Sequence, residues 1–493
     1  MAIPHWCILI GGTLALLVRS VDPRRFMLAV IFTLPFNGAF VEVGQRLELF
    51  KVASLIALPI AAFQLPRLLA GGVFGGLGPF ASWTAWITLF AFCFPPEYLA
   101  NEGDGMRSLG LRLLLQGTLL LSRLSLVGLC IMSLARSRDV LAGVRAWVAA
   151  TTVLAGFGLL EQACHLVGFD IGGVFYDGLL GGPPTQLPHS VLGMEFKRIG
   201  SFAHEPKMLA RWLVPSLVVL LGDATIGHRL TGRGSRTRML IAVHFAALLF
   251  TFSTSGYLVF LASLAIPLLA MGSAGLAAGR YLATLGLVAI GIGLWGFGLN
   301  TLFEAVIAEK SAKYGGFVQG GTDGPAFAFL EAHPWAAVWG SGLSTQGFYL
   351  PEFITADFEF VYENVMDRGF GGFGVESGWL SLLLDTGLIG IVILLFPIVA
   401  RWQHGATLVQ RFVRQPDADG PCAAIVLTRC LLGACLFGMV AYPLEGVGLL
   451  AISLGLASAA LAAAGREFAD VPATLPEAIR PRPRRPLPLR AYA

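Results

Sequence analysis

The sequence predicts an all-α, polytopic transmembrane helical bundle of about thirteen spans with one large loop on its outer face. Three observations predict it. Of 493 residues, 56% are hydrophobic and 13% charged, against about 25% charged in ordinary soluble domains, and the mean hydropathy is +0.73. Apolar stretches of spanning length recur along the chain, separated mostly by short polar loops. The basic residues fall in alternate loops, as the positive-inside rule expects of a chain that threads back and forth.

The apolar segments are 4–19, 26–43, 50–66, 79–96, 109–135, 140–167, 206–222, 239–253, 256–272, 281–299, 376–400, 422–442 and 446–464. Ser253-Thr254-Ser255-Gly256 leaves a very tight turn between two of them. The first run ends in Arg19, Arg24 and Arg25 with no small-residue cleavage pattern, so a retained span rather than a signal peptide is expected. Odd-numbered loops carry Arg19, Arg24 and Arg25; Arg67; Arg136 and Arg138; Arg229, Arg233, Arg236 and Arg238; Arg280; and Arg401, Arg411 and Arg414. The Pro- and Arg-rich tail adds Arg466, Arg480 and Arg482. Even-numbered loops differ: the fourth is acidic, with Glu97, Glu102 and Asp104, and the long one carries acidic residues from Glu304 to Asp367. Odd loops are therefore expected to be cytoplasmic, with the N-terminus outside and the C-terminus inside.

The chain divides accordingly. Residues 1–299 form a transmembrane bundle with an outward polar motif at 168–211, residues 300–375 the large outer loop, residues 376–465 a three-helix transmembrane segment, and residues 466–493 a disordered tail. Seven cysteines lie in or beside apolar spans, with neither a CxxC pair nor metal-type spacing. The net charge of +4 is small and dispersed, which argues against a nucleic-acid partner. No Walker A, HExxH or Gly-x-Ser-x-Gly signature is present. Asp417-Ala418-Asp419 reads as a solvated turn. Glu161 and Asp385 stand near span interiors, too few for an ion-coupled transport path.

Two outer clusters carry the chemistry. The first centres on Arg198-Ile199-Gly200-Ser201-Phe202 and continues through His204, Glu205 and Pro206 to Lys207 and Arg211. Pro206 suits the first turn of a helix, and His204, Lys207 and Arg211 would share one face of it. Cations at the positive end of a helix favour anions. With Arg198 they suit a phosphate or diphosphate, Arg offering a forked contact and Lys a point charge. The competing reading has Lys207 and Arg211 reaching lipid headgroups and Glu205 capping the helix. On that reading Arg211 matters less than Arg198.

The second cluster is the long loop and its exit. Residues 326–339 are expected to form an interfacial helix with Phe327, Phe329, Leu330, Trp335 and Trp339 as its apolar side. Gly340 to Ser344 then makes a flexible turn. His333, before Pro334, reads as a turn residue more than a catalyst. Arg368 and a glycine-rich run lead to Glu376 at the mouth of the next span. Glu376 is a candidate general base, or else a helix cap. Phe370, Phe373 and Trp379 are candidates for stacking on sugar faces.

Three pieces give the chain a family likeness: Arg198-x-Gly200-Ser201-Phe202 followed by Glu205-Pro206; the stretch Ala332-His333-Pro334-Trp335 through Gly340-Ser341-Gly342; and Glu376-Ser377-Gly378-Trp379 through Asp385-Thr386-Gly387. In their order, and with a large loop before three final spans, the chain resembles the O-antigen polymerase and ligase superfamily of bacterial envelope glycosyltransferases. The likeness covers roughly residues 198–398. It implies a metal-independent, cofactor-free inner-membrane transferase that takes oligosaccharide from undecaprenyl diphosphate at the periplasmic face. Implied partners are that lipid-linked donor, the bilayer, and a chain-length regulator or export complex. Arg198, Lys207, Arg211 and Arg368 would hold the diphosphate, and Glu376, or His204 with Glu205, would be the base. Two departures stand out. Ligases carry a His where this chain has Glu376, which favours a polymerase of repeat units over a ligase. Many members have Ser-Arg-Gly where this chain has Ser253-Thr254-Ser255-Gly256. A ligase, or a transporter or flippase of lipid-linked sugar, are the alternatives.

Overall fold

The computed structural model describes residues 3–36, 40–42, 46–70, 82–86, 109–169, 171, 189–191, 194–203, 205–271, 323–342, 345–353, 375, 377–412, 418–442 and 447–469. Among them the architecture is helical, with two short antiparallel hairpins. Six helical segments are long and apolar enough to cross a membrane: Ser137–Leu166, Pro206–Thr225, Thr254–Met271, Gly378–Phe412, Asp419–Gly438 and Gly448–Phe468. The chain is a helical membrane protein.

In chain order, α1 is Ile3–Arg19, α2 Pro23–Thr33, β1 Phe40–Glu42, β2 Arg46–Glu48, α3 Leu49–Phe63 and α4 Leu65–Ala70. Then come α5 (Leu109–Ser133), α6 (Ser137–Leu166), β3 (His189–Val191), β4 (Met194–Phe196), α7 (Pro206–Thr225), α8 (Gly234–Phe250), α9 (Thr254–Ser263) and α10 (Ile266–Met271). The short helices α11 (Gly324–Ala332), α12 (Pro334–Trp339) and α13 (Gln346–Tyr349) precede α14 (Gly378–Phe412), α15 (Asp419–Gly438) and α16 (Val447–Ala469).

Several expected elements change. Segment 26–43 is helical only to Thr33. Pro35 follows, with no N–H to donate and a ring that clashes with the preceding turn, and β1 and β2 form a hairpin beyond it. Segment 50–66 breaks at Gln64, just before Pro66. Segment 256–272 breaks between Ser263 and Ile266, ahead of Pro267. Span 376–400 is much longer, because helix α14 runs on to Phe412. Arg401 and Arg411, expected in a loop, lie inside it. The extension is anchored by Phe412, whose ring stacks on Phe468 at 4.4 Å. The single helix expected over 326–339 is two, broken at His333–Pro334. Its apolar residues do not share a side: Phe329 is fully buried, while Phe327, Trp335 and Trp339 are exposed. Segments 79–96 and 281–299, most of the outer loop and the tail lie largely or wholly outside the described residues.

The bundle core joins α5, α6, α7, α15 and α16. Small residues let these helices approach closely, as membrane interfaces require. Gly222 of α7 receives Cys430 of α15, and Gly143 of α6 receives Leu456 of α16. A buried polar tie crosses three helices: Thr151 of α6 meets Ser216 of α7 at 2.7 Å and His244 of α8 at 3.1 Å. Lipid would meet the opposite faces, such as the exposed stripe Leu388, Val392, Phe396 and Val399 on α14.

The basic loops gather at one end of the bundle. Arg24 pairs with Asp139 at 2.8 Å. Ser137 donates from N and Oγ to Glu467 at 2.8 and 2.9 Å. Arg229 pairs with Asp419, and Arg145 donates to the Leu230 carbonyl at 2.9 Å. The segments around Arg198, Thr251, Trp379 and Met439 meet at the opposite end. This separation is what the alternating charge of the loops requires.

Candidate functional site

At the end away from the basic loops, the 198–203 segment is fastened from three sides. Its backbone turns through Ser201, which holds a left-handed φ of 51°. The buried Glu161 carboxylate on α6 accepts the Ser201 N–H at 3.0 Å, and the Ser201 hydroxyl donates to the Leu154 carbonyl at 2.8 Å. Ile199 donates to the Phe250 carbonyl at 3.1 Å and packs against Gly158. Phe202 adds a ring contact with Phe157 at 4.3 Å. Glu161 is therefore an anchor for this segment. Sequence reading saw the buried carboxylate but not its role, because its partner is a backbone N–H 40 residues away.

Arg198 is half-buried and directs Nε at the Thr251 carbonyl, 3.4 Å away, in the turn between α8 and α9. Ser253 caps α9 by accepting the Gly256 N–H at 3.2 Å, which is how so tight a turn is accommodated. Gly256 in turn lets α9 lie against Ala210 of α7. Arg198 on one side and Arg211 on the other thus flank the first turns of α9.

Helix α7 starts at Pro206, as its residue types require. Glu205 occupies the N-cap position in extended geometry but makes no side-chain cap hydrogen bond. Lys207 is half-buried. Arg211 is 2% exposed, so the reading in which it reaches lipid headgroups fails. The face of α7 that carries Arg211 points into the bundle.

There Arg211 lines a narrow cleft with Val214, Pro215, Val259, Gly438, Met439 and Tyr442. Its guanidinium lies 4.9 Å from the Trp212 ring centre. Pro215, four positions on, cannot donate to the carbonyl of residue 211. A charged side chain within a membrane span is costly, and such residues mark function by default. The Tyr442 hydroxyl, 3% exposed, has no hydrogen-bond partner among the described residues. Burial raises its pKa above the usual phenol range, and the Arg211 charge pulls the other way. It is protonated at neutral pH and available as a donor.

No family model, curated protein or solved structure matches the chain. What the site can do rests on its own geometry.

Trp379 joins this rim. Its backbone N–H donates to the Met439 carbonyl at 3.1 Å and its indole N–H to the Leu436 carbonyl at 3.0 Å, so its ring is fixed beside a residue of the cleft. Gly378 leaves no room for a side chain against the Tyr442 carbonyl. The structure therefore brings Arg211, Tyr442, Met439 and Trp379 together. Tyr442 was missed in the sequence because it reads as the last residue of an apolar span. The one available signal was a Tyr-Pro pair at the short junction between the final two spans.

Glu376, His204, Arg368, Phe370 and Phe373 lie outside the described residues. The chain on both sides of Glu376 is tethered: Val375 N–H donates to Gln346 at 3.3 Å, and Ser377 N–H to Asp323 at 3.3 Å. Gln346 also donates to Ser381 at 2.7 Å and to the buried Asp385 at 3.1 Å. Asp385 thus fastens the short helices to α14.

These helices form a second apolar cluster, with Phe329, Tyr349, Leu350 and Leu384 at its centre. They dock on a break in α14 at Gly387, whose φ of 65° and ψ of 178° interrupt the helix. A side chain there would overlap the Val338 carbonyl. The break exposes carbonyls that are then used: Ser341 N–H donates to Leu384 at 2.7 Å and the Trp86 indole to Thr386 at 2.9 Å. Trp86 stacks with Trp339 at 6.2 Å. His333 makes ring contacts with Phe329 and Trp335, which suits a packing residue.

Proposed function

We propose that this protein is a polymerase that joins undecaprenyl-diphosphate-linked oligosaccharide repeat units at the periplasmic face of the bacterial inner membrane, building an O-antigen or exopolysaccharide. The observation that carries this reading is the burial of Arg211 in an otherwise mainly apolar cleft between membrane helices. The cleft lies at the end where the 198–203 segment, α9 and the start of α14 converge. A fixed cation between apolar walls suits the head of an anionic lipid, whose chain stays in the bilayer.

On this reading the acceptor hydroxyl attacks the anomeric carbon of the donor sugar. Glu376, or His204 with Glu205, takes the hydroxyl proton. The lipid diphosphate leaves with the bonding electron pair, and Arg198, Lys207, Arg211 and Arg368 neutralise its charge. A single displacement inverts the anomeric centre. Trp379, pinned at the rim, offers a flat face to a sugar ring, and Phe370 and Phe373 are assigned the same role. The donor brings its own activated bond, so the chemistry calls for no cofactor.

The test is a deletion in a strain with no second polymerase. Lipid-linked single repeat units without long chains are expected on gels. Long chains at undiminished abundance would overturn the assignment.

A further inference from the structure

We infer that the Tyr442 hydroxyl is a second, neutral donor to the phosphate group held by Arg211. This rests on the anion-site reading of Arg211 above and adds a ligand contact from another part of the chain, the junction after α15.

Four observations carry it. Tyr442 and Arg211 line the same cleft, from α7 on one side and the end of α15 on the other. The hydroxyl is buried and has no hydrogen-bond partner among the described residues, a state that costs about 1–3 kcal/mol unless a partner arrives. The residue is held in place, since its carbonyl abuts Gly378 and its ring abuts Gly438. Of the remaining lining residues, Val214, Pro215, Val259, Leu449 and Leu450 have no polar side-chain atom, and Cys435 and Met439 offer only weak sulfur acceptors. Among the described residues the phenol is left with a hydrogen bond to give, and an acceptor entering the cleft would meet the guanidinium as well, which selects an anionic one. A phosphate oxygen fits both, taking a forked contact from the arginine and one hydrogen bond from the phenol. The phenol adds no charge, so leaving it unpaired in the empty site costs less than leaving a second buried cation unpaired would.

The phosphate can be lipid-borne or free, and the test separates these sources. Full-length protein in detergent is titrated with farnesyl diphosphate, inorganic diphosphate and farnesol, reading the fluorescence of Trp212 and its neighbours or a calorimetric signal. Tyr442→Phe removes only the hydroxyl and keeps the ring. It is expected to weaken farnesyl diphosphate binding about tenfold or more and to leave farnesol binding unchanged. Preference of the wild type for farnesyl diphosphate over inorganic diphosphate supports a lipid-borne ligand. Equal affinities, both lowered by Tyr442→Phe, support the same contact to a free phosphate.

The inference is overturned if Tyr442→Phe binds farnesyl diphosphate within twofold of wild type. It is equally overturned if farnesol binding drops in parallel, which would mean a packing role. Arg211→Ala separates the two claims. If it abolishes diphosphate binding while Tyr442→Phe does not change it, the anion site stands and only the phenol contact fails. If Arg211→Ala binds normally and Tyr442→Phe does not, the arginine assignment fails alone. Wild-type protein that binds neither diphosphate removes both.

Discussion

Arg211→Ala is expected to reduce polymer formation about 30- to 1000-fold with protein still present in membranes. That matches the roughly 2–4 kcal/mol a charged contact supplies to a developing anion. Arg211→Lys keeps the charge and loses the fork, so it is expected to recover only part of this. The sequence alone ranked Arg198 above Arg211, because a cation near a helix mouth ordinarily reaches headgroups. Burial reverses the order: Arg211 is enclosed, while Arg198 is half-buried with a backbone carbonyl in reach. Polymer length on gels, measured beside membrane protein levels, ranks the two variants. An Arg211→Ala protein that outperforms Arg198→Ala would restore the sequence-based order. Glu161 is a different kind of residue. Glu161→Gln keeps an oxygen for the Ser201 N–H and is expected to be tolerated. Glu161→Ala leaves that buried N–H without it and is expected to cost about 1–3 kcal/mol, read as a lower unfolding temperature in detergent.

At the scale of elements, the break at Gly387 offers a sharp test. An alanine there must take a φ of 65° with a ψ of 178°, a region open essentially only to glycine, and its Cβ would overlap the Val338 carbonyl. Gly387→Ala is expected to lift α12 off α14 and to increase proteolysis within residues 323–353. Gly11→Ala on α1, with nothing within 4 Å of its Cβ, is the matched control and is expected to behave as wild type. Element boundaries also show what the sequence conveys. The start of α7 was legible because Pro206 has a local reason to be there. The ends of α2 and α3 and the break after Ser263 were missed because hydropathy averages over a window and passes through Pro35, Pro66 and Pro267. The break at Gly387 was illegible for another reason. Its glycine is required by a backbone nearly 50 positions earlier in the chain, and no local pattern records that contact.

For the whole molecule, loop charge was the most informative signal. It separated the ends correctly, since Arg24, Asp139, Arg229, Asp419 and Glu467 all meet at one end. A reporter fused after Gly320 is expected to read periplasmic and one after Arg233 cytoplasmic. Matching signals from both would break the assignment of faces. The cleft was only half legible. Its arginine stood out as a charge on the wrong side for a cation, whereas its phenol and apolar walls come from α9, α15 and α16, which sequence places anywhere in the bundle.

The position of α16 has a consequence for how the protein is made. This final helix is the most enclosed of the six, with 83% of its apolar window buried, and it packs on α5, an element completed more than 300 residues earlier. Until the ribosome releases it, the inward faces of α5 and α6 stand in the bilayer with lipid where protein belongs. Assembly of this core must wait until α16 has been made, so nascent chains pass through a long interval exposed to membrane quality-control proteases. A frameshift or stop before Val447 should then yield almost no accumulated protein, not a shortened and partly working enzyme.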